Sequence, residues 1–495
     1  MSKILEFFPR KLDPRPVQAN ALKELERLWD SANIFVINLP VASGKSAIAM
    51  TIAHWQKKCS IITPTKLLVD QYKNEYNHVH VLRAKSDYWC STFKCPVSKR
   101  PKSKKLGATC KKDLGCSGCQ SYLKDLRQAR VMPYLLSNYY IYLAHRLYRD
   151  TLVVDEAHNM IDVLKNMAAK RFWQFKHQFP SNLKTREDIK HWVNNLPDSA
   201  FHYHFKQSGD RTWTDQVGLE FLRAEINSYR PRYLITMEQE DYRGEKHTCI
   251  KMTPLDISDA PPVMWPSEVK KIVLLSATIS RKDIEQLGLA GKKVQYIQAD
   301  SPIQAERRPV VLAMNAQSMA WKVQDQNLPA LCRYIEEAAF HNDDVKGLIH
   351  ATYGLSRKLR EHNWSPQVRE RLIFHDKETK TQQYNYFRES TAPKILVASG
   401  MYEGIDLPYD AGRWQILAKV PWPSLADPAI KFLCGEDEEW YAWETIKTVL
   451  QACGRICRTP EDRGVTYIFD KTFERLYLQN PGLFPDWFKH SVKGV

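Results

Sequence analysis

A strand-length apolar run that leads into a Gly-Lys-Ser tripeptide constrains the fold of this chain more than any other feature. Residues 33–38 form the run, and Gly44-Lys45-Ser46 follows shortly after it. Residues 47–55 then read as a helix and residues 60–63 as the next strand. Strands and helices that alternate in this way predict a parallel α/β sheet.

The tripeptide matches the end of the phosphate-binding pattern G-x-x-x-x-G-K-[ST]. In such a loop, backbone amides and the first turn of a helix bind phosphate, while the lysine reaches the β- and γ-phosphates of ATP and the hydroxyl ligates Mg²⁺. Leu39 stands where the first glycine of the pattern belongs, so the match is partial, and an ordinary loop before a helix is the alternative. The residues expected around the phosphates are Ala42, Ser43, Gly44, Lys45 and Ser46.

An acidic tetrapeptide, Asp155-Glu156-Ala157-His158, follows a second apolar run at residues 151–154. At the end of a strand, Asp155 is expected to hold Mg²⁺ through water, and Glu156 is expected to polarise the attacking water. The loop and the tetrapeptide together predict a site that hydrolyses a nucleoside triphosphate.

A second alternating unit begins beyond about residue 311, so the simplest organisation is two α/β lobes with two insertions in the first. The first insertion, residues 84–120, has no apolar periodicity, and the second, residues 161–262, includes a helix-like stretch and a possible hairpin at residues 233–252. The strand-like segments of the second lobe are residues 347–351, 371–374, 394–398, 415–420 and 465–469.

The composition favours a basic intracellular protein with a polyanionic partner. The 495 residues carry a net charge of +16, and the sequence pI is about 9.2. No apolar run reaches the length of a membrane span, and the first residues lack a signal-peptide core. We therefore expect no membrane partner and a cytoplasmic location, including the nucleoid or a host cytoplasm, rather than secretion.

Five of the eleven cysteines lie within thirty residues, between the phosphate loop and the acidic tetrapeptide. In a reducing compartment such a group indicates a metal site, and four thiolates can ligate either a [4Fe–4S] cluster or Zn²⁺. Spacing alone leaves both open. Residues 88–112 carry no acid and many lysines, which favours contact with a phosphate backbone. The five cysteines are Cys90, Cys95, Cys110, Cys116 and Cys119.

Taken in order, these motifs resemble those of the XPD/DinG-type iron–sulfur helicases of superfamily 2, and the resemblance covers nearly the whole chain. Six further segments match motifs of this family. They are Arg15-Pro16-Val17-Gln18, Thr63-Pro64-Thr65-Lys66, Leu275-Ser276-Ala277-Thr278, Glu403-Gly404-Ile405-Asp406, Val420-Pro421-Trp422-Pro423-Ser424 and residues 451–458.

The resemblance implies an α/β fold with two RecA-like parallel-sheet motor lobes, and a metal-cluster insert and a mostly helical arch-like insert in the first lobe. It implies an ATP-dependent helicase or translocase that acts as a monomer on single-stranded and forked DNA and moves 5′ to 3′. It also favours iron–sulfur over zinc, although the family's usual spacing, a paired C-x2-C with a later fourth cysteine, is not reproduced and the choice of ligands stays open. Because Cys90 and Cys119 bracket the insert, we predict Cys90, Cys110, Cys116 and Cys119 as ligands and Cys95 as a possible substitute.

The resemblance also implies nucleotide contacts for Arg15, Gln18, Gly404 and Asp406. From the last motif it implies catalytic roles for Gln451, Arg455 and Arg458, with Arg458 or Arg455 as the arginine finger. Spacings of four and three predict these last three on one helical face.

Other departures from the family pattern are visible, including Val41 and Ser43 in place of threonines. Ala42 replaces a glycine of the phosphate loop, and the region of the arch is short. The expected boundaries are 1–84, 126–160 and 263–310 for the first lobe, 85–125 for the iron–sulfur insert, 161–262 for the arch-like insert and 311–495 for the second lobe.

Two alternatives remain at this stage. One is an RNA helicase, or a translocase that displaces proteins without unwinding. The other is a nucleic-acid-binding scaffold with an inactive ATPase, against which Lys45, Asp155, Glu156 and Arg458 argue.

Overall fold

A computed structural model of the chain divides into two compact units. It describes residues 2–40, 42–76, 79–90, 95–97, 117–197, 218–242, 245–257, 267–289, 291–402 and 405–494. One unit comprises residues 1–15, 19–38 and 45–297, and the other comprises 16–18, 39–44 and 298–495. The main part of the second unit therefore begins at residue 298, ahead of the predicted boundary at 311, because a connecting segment precedes its first strand.

The first unit is built on a seven-stranded sheet in the order β12-β1-β11-β7-β2-β6-β3. Its central strands are buried on both faces, as is typical of parallel sheets covered by helices. The strands of this unit are β1 (Ile34–Asn38), β2 (Cys59–Thr63), β3 (His80–Val81), β4 (Trp89–Cys90), β5 (Cys95–Pro96), β6 (Tyr134–Asn138), β7 (Thr151–Asp155), β8 (Lys170–Trp173), β9 (Tyr233–Tyr242), β10 (Glu245–Pro254), β11 (Lys271–Ser276) and β12 (Val294–Gln298).

Helices of the first unit connect these strands and cover the sheet. They are α1 (Pro16–Leu28), α2 (Lys45–Gln56), α3 (Lys66–Glu75), α4 (Ser117–Val131), α5 (Tyr139–His145), α6 (Met160–Ala168), α7 (Gln174–His177), α8 (Arg186–Asn194), α9 (Leu219–Ile226) and α10 (Arg281–Gln286). The first three residues of α1 group with the second unit.

The arch-like insert has a core of its own. Its described residues form an antiparallel sheet in the order β8-β10-β9, whose apolar face packs on α8 and α9. The insert thus contains a three-stranded sheet as well as helices, where the sequence predicted mostly helix. The predicted hairpin is confirmed as β9 and β10, and its turn at residues 243–244 lies outside the described residues.

The second unit has a seven-stranded, entirely parallel sheet in the order β15-β16-β14-β17-β18-β13-β19. Its strands are β13 (Val310–Gln317), β14 (Gly347–Ala351), β15 (Leu372–Phe374), β16 (Ile395–Ser399), β17 (Trp414–Leu417), β18 (Val465–Asp470) and β19 (Val492–Lys493). Its helices are α11 (Gln324–His341), α12 (Tyr353–Glu361), α13 (Pro366–Arg371), α14 (Lys380–Glu389), α15 (Pro428–Glu436), α16 (Glu438–Cys453), α17 (Thr472–Gln479) and α18 (Asp486–Lys489).

The predicted α/β class with two parallel-sheet lobes is therefore confirmed. Among the described residues, no helix is long and apolar enough to cross a membrane.

Candidate nucleotide-hydrolysing site

The phosphate loop connects β1 to the first turn of α2, which begins at Lys45. Gly44 has a φ of +70°, and a Cβ at this position would lie 2.4 Å from Nε2 of Gln18. Ala42 also has a left-handed backbone, with a φ of 67°. A left-handed conformation costs an ordinary residue about 1–2 kcal/mol, so Ala42 occupies a position that suits the family's glycine better.

Gln18 contacts this loop directly. Its side chain is buried, and Nε2 donates a 3.2 Å hydrogen bond to the carbonyl oxygen of Gly44. Ser43 is buried as well, and its hydroxyl donates to the carbonyl oxygen of Pro40 at 2.7 Å. Arg15 immediately precedes α1. Gln18 thus adjoins the phosphate loop, while its proposed contact with the nucleotide stays a prediction.

The acidic tetrapeptide lies where β7 ends. Asp155 is the last residue of that strand, and Glu156 follows with a φ of 50°. Lys45 Nζ lies 3.1 Å from Oε1 of Glu156, so the helix start and the strand end meet at this ion pair. Glu156 is therefore the ion-pair partner of the lysine that is expected to contact phosphate.

Asp155 is almost completely buried, with 3% of its surface exposed. Burial and the neighbouring Glu156 carboxylate raise the pKa of Asp155 to about 6, while Lys45 and the hydroxyl of Tyr72 oppose this shift. A divalent cation beside the carboxylate would favour its ionised form in the same way as Lys45 does.

His158 of the tetrapeptide forms a hydrogen bond with the residue at the end of β11. Nδ1 of His158 lies 2.9 Å from the hydroxyl of Ser276, and the same hydroxyl oxygen accepts the backbone N–H of Thr278 at 3.0 Å. Asn159 Nδ2 lies 3.0 Å from Nε2 of His158. The two sequence motifs, 155–158 and 275–278, therefore form one hydrogen-bonded unit.

Two buried tyrosines complete this end of the sheet. Tyr72 on α3 donates its hydroxyl hydrogen to Oδ2 of Asp155 at 2.9 Å. The hydroxyl of Tyr139 is hydrogen-bonded to the carbonyl oxygen of Asp155 and lies 2.9 Å from that of Glu156. Burial raises the pKa of both hydroxyls well above their usual range, so both remain donors. Sequence reasoning missed these residues, because a tyrosine on an apolar helix face predicts only packing.

Oxygen donors of the kind that Mg²⁺ prefers are available in the first unit. Ser46, in the first turn of α2, donates its hydroxyl hydrogen to Oε2 of Glu75 at 3.2 Å and also forms a hydrogen bond with the side chain of Tyr76. Asp155 supplies a carboxylate. These residues fit the predicted cation, with Ser46 and Asp155 as the candidates to hold it.

In the second unit, the predicted shared helix face for Gln451, Arg455 and Arg458 is wrong. Helix α16 ends at Cys453, and the N–H of Gly454 caps it by donating to the carbonyl oxygens of the last turn. Glycine disfavours continuation of the helix, and Ile456 instead pairs with Leu407 as an isolated bridge.

The two arginines nevertheless lie close to the residues 405–406. The Arg455 guanidinium donates to the carbonyl oxygens of Gln451 at 2.7 Å and of Ile405 at 3.1 Å. The Arg458 side chain forms an ion pair with Asp406 and donates to the carbonyl oxygen of Gly454 at 3.0 Å. Gly404 lies outside the described residues.

Two of the five predicted cysteine ligands lie outside the part of the chain that the structure describes. Cys90 is buried at the end of β4, and its backbone pairs in register with that of Cys95 on β5. Cys119 lies in the first turn of α4. Cys110 and Cys116 are not among the described residues. Within the described residues alone, no group of three or more metal-ligating side chains is found.

Comparisons with known proteins match both units. The model of a helicase C-terminal domain matches residues 349–491, and that of the type III restriction enzyme res subunit matches residues 11–181. The ATP-dependent DNA helicase YoaA of Escherichia coli (strain K12) is 23% identical over 269 residues, which cover 50% of this chain and 41% of that protein. The match thus spans less than half of the relative's length.

Solved structures share the fold over almost the entire chain. S. tokodaii Xpd4 matches with a TM-score of 0.58 at 14% identity, over 97% of this chain and 100% of that one. An XPD helicase structure matches with a TM-score of 0.58 at 15% identity, over 97% and 98%. A helicase C-terminal domain model matches the second unit and the XPD structures share the fold, so the chain is similar to the XPD/DinG-type helicases of superfamily 2.

Proposed function

We propose that this protein is an ATP-dependent DNA helicase that hydrolyses ATP with Mg²⁺ while it moves 5′ to 3′ along single-stranded DNA. The observation that carries the proposal is the contact between Lys45 and Glu156, which joins the phosphate loop to the acidic end of β7. The similarity to YoaA supports DNA as the substrate. Action as a monomer, on forked duplexes, rests on the family resemblance.

Each residue has a distinct role in this proposal. Lys45 binds the β- and γ-phosphates, Ser46 and Asp155 hold Mg²⁺, and Glu156 takes a proton from the attacking water. Bound Mg²⁺ supplies charge neutralisation for the phosphates. In this proposal, phosphate takes the place of Glu156 as the partner of Lys45, and the carboxylate then acts as the base. Arg458, or else Arg455, is the arginine finger.

The direct test measures phosphate release from ATP with and without single-stranded DNA or RNA. Lys45→Ala is expected to abolish hydrolysis, because the phosphates lose their counter-ion. Glu156→Gln is expected to bind ATP and Mg²⁺ but to turn over at least about a hundredfold more slowly, because the water is not activated. Lys23→Ala, at an exposed position on α1, is the matched control and should behave as wild type.

The outcomes separate the alternatives. Near-normal turnover in either active-site variant would contradict the assignment of the site. Stimulation by RNA alone would identify an RNA helicase, and stimulation by DNA without strand separation on forked duplexes would identify a translocase. A wild-type protein that binds DNA but releases no phosphate would instead support the alternative of a nucleic-acid-binding scaffold with an inactive ATPase.

We also propose an iron–sulfur cluster held by Cys90, Cys110, Cys116 and Cys119, with Cys95 as the fifth, dispensable thiol. A [4Fe–4S] cluster takes four thiolates and gives a brown protein with about four irons per chain. Cys95→Ser should keep the colour and unwinding, whereas Cys90→Ser and Cys119→Ser should lose both and retain some ATPase activity. A colourless wild type with stoichiometric zinc would contradict the cluster, and a colourless Cys95→Ser would contradict only the choice of ligands.

A further inference from the structure

Helix α3 contributes a buried hydroxyl to the acidic end of β7. Tyr72 is 1% exposed, and its hydroxyl donates to Oδ2 of Asp155 at 2.9 Å. A buried tyrosine hydroxyl needs an acceptor, and the Asp155 carboxylate supplies it. The other carboxylate oxygen, Oδ1, accepts the backbone N–H of Glu156 at 3.0 Å. Since each oxygen is held by one donor, the plane of the carboxylate is fixed.

This arrangement leaves room for a cation in the carboxylate's coordination sphere. An ionised carboxylate offers about four lone-pair sites, and the two hydrogen bonds use two of them. The remaining sites of Asp155 can therefore bind Mg²⁺ or a water in its shell. Tyr72 thus orients the group without replacing the metal.

The same helix also contacts the second expected ligand of the cation. Glu75 follows Tyr72 by three residues on α3, and its Oε2 accepts the hydroxyl hydrogen of Ser46 at 3.2 Å. The side chain of Tyr76, which follows α3, also forms a hydrogen bond with Ser46, so Glu75 is one of two partners that orient this hydroxyl. Both oxygen donors of the proposed site are therefore held by α3.

We propose that Tyr72 and Glu75 are positioning residues for Mg²⁺, with Tyr72 orienting the carboxylate of Asp155 and Glu75 orienting the hydroxyl of Ser46. This inference rests on the proposed hydrolysis of ATP with Mg²⁺. The contact of Tyr72 is buried, whereas the contact of Glu75 is exposed. The effect of Tyr72 is consequently the larger one.

Two neighbouring tyrosines provide matched controls. Among the described residues, the hydroxyl of Tyr139 forms hydrogen bonds only with the backbone carbonyl oxygens of Asp155 and Glu156, so its removal leaves the carboxylate contacts in place. Tyr142 lies in the same core, and its hydroxyl has no hydrogen-bond partner among the described residues. A Tyr→Phe change at each of the three positions removes one buried hydroxyl and keeps the ring.

The experiment titrates a fluorescent ADP analogue into the full chain in EDTA and in Mg²⁺, and measures Mn²⁺ binding by water-proton relaxation. Tyr72→Phe should keep the metal-free affinity for nucleotide and lose about tenfold in metal affinity, the lower end of the range for groups that orient metal ligands. Glu75→Gln should show a smaller loss in the same direction. Tyr142→Phe should match wild type in nucleotide and metal affinity, and Tyr139→Phe should lower the melting temperature without changing metal affinity.

The outcomes of this experiment distinguish the two proposals. A wild type whose nucleotide binding does not respond to Mg²⁺ would contradict the proposed function. A wild-type response that persists in Tyr72→Phe and Glu75→Gln would overturn the inference alone. Glu75 is exposed, so its variant keeps the test valid if Tyr72→Phe fails to fold. Added to Asp155→Asn, Tyr72→Phe should cause no further loss of metal affinity, because Tyr72 acts through that carboxylate.

Discussion

In the candidate nucleotide-hydrolysing site, the residues that could be predicted from the sequence are charged side chains that stand out beside apolar strands. Lys45, Asp155 and Glu156 are charged residues next to apolar strands, and the structure joins the strand that ends at Asp155 to the helix that begins at Lys45 through the Glu156 ion pair. Tyr72 was not predictable, because nothing in the sequence shows that its hydroxyl faces Asp155 across 83 positions of the chain. Sequence patterns reveal which face of a helix is apolar and leave its polar contacts undetermined.

His350 is a buried residue whose protonation opposes folding. It lies on β14 at 1% exposure, stacks on Tyr402 with ring centroids 5.7 Å apart and places Nε2 3.4 Å from Oε1 of Gln415. Burial, and to a lesser degree the positive charge of Arg455, lower the pKa of His350 to about 3. The folded protein therefore keeps this imidazole neutral where an unfolded chain would bind a proton.

The expected result is a loss of stability as the pH falls from about 6.5 toward 3, since the unfolded state binds the additional proton in this range. At pH 5 this linkage amounts to about 2 kcal/mol relative to neutral pH. His350→Asn should remove that part of the pH dependence, as seen in melting temperatures at pH 7.5 and 5.0. The exposed His341 provides the control His341→Asn, and an equal pH dependence in all three proteins would contradict the prediction.

At the scale of elements, continuous apolar runs predicted the central strands closely. Residues 151–154 and 347–351 were expected as strands and correspond to β7 and β14. Strand β13 was not predicted, because its exposed and buried positions do not follow one pattern and its pairing with β18 is interrupted after Leu312. The expected helix through residues 451–458 fails at Gly454, where local backbone preference overrides a favourable spacing of side chains.

In the second unit, β14 and β17 pack closely because Gly347 has no side chain. Gly347 on β14 pairs in register with Trp414 on β17, and a Cβ on Gly347 would lie 2.2 Å from the indole ring. Trp414 is completely buried. The glycine is therefore required by a close approach between neighbouring strands.

Gly347→Ala should destabilise the second unit by about 1–3 kcal/mol, the usual cost of overpacking a core. The matched control is Gly435→Ala in α15, where a Cβ meets no atom within 4 Å. This control should be neutral or stabilising by about 0.5–1 kcal/mol, because alanine favours the helix. Melting temperatures measure both variants, and equal values would show that the indole moves aside without cost.

At the scale of the whole molecule, charge is the property that composition alone predicts. The excess of 72 basic over 56 acidic residues gives the net charge of +16 and suits a polyanionic partner. Composition does not say where on the molecule that partner binds. Residues 88–112, which carry no acid, indicate one location by sequence, and most of them lie outside the described residues.

Replacement of five of the eight basic residues in this segment by alanine tests that location, because each phosphate contact releases counterions from the nucleic acid. Affinity for single-stranded DNA should fall, and the slope of log affinity against log salt should become shallower by about 0.7 for each phosphate that is no longer neutralised. ATPase activity without DNA should stay at the wild-type level, since the Lys45–Glu156 site is separate in sequence. An unchanged affinity at low salt would instead identify the segment as a solvated loop. The residues replaced are Lys99, Arg100, Lys102, Lys104 and Lys105.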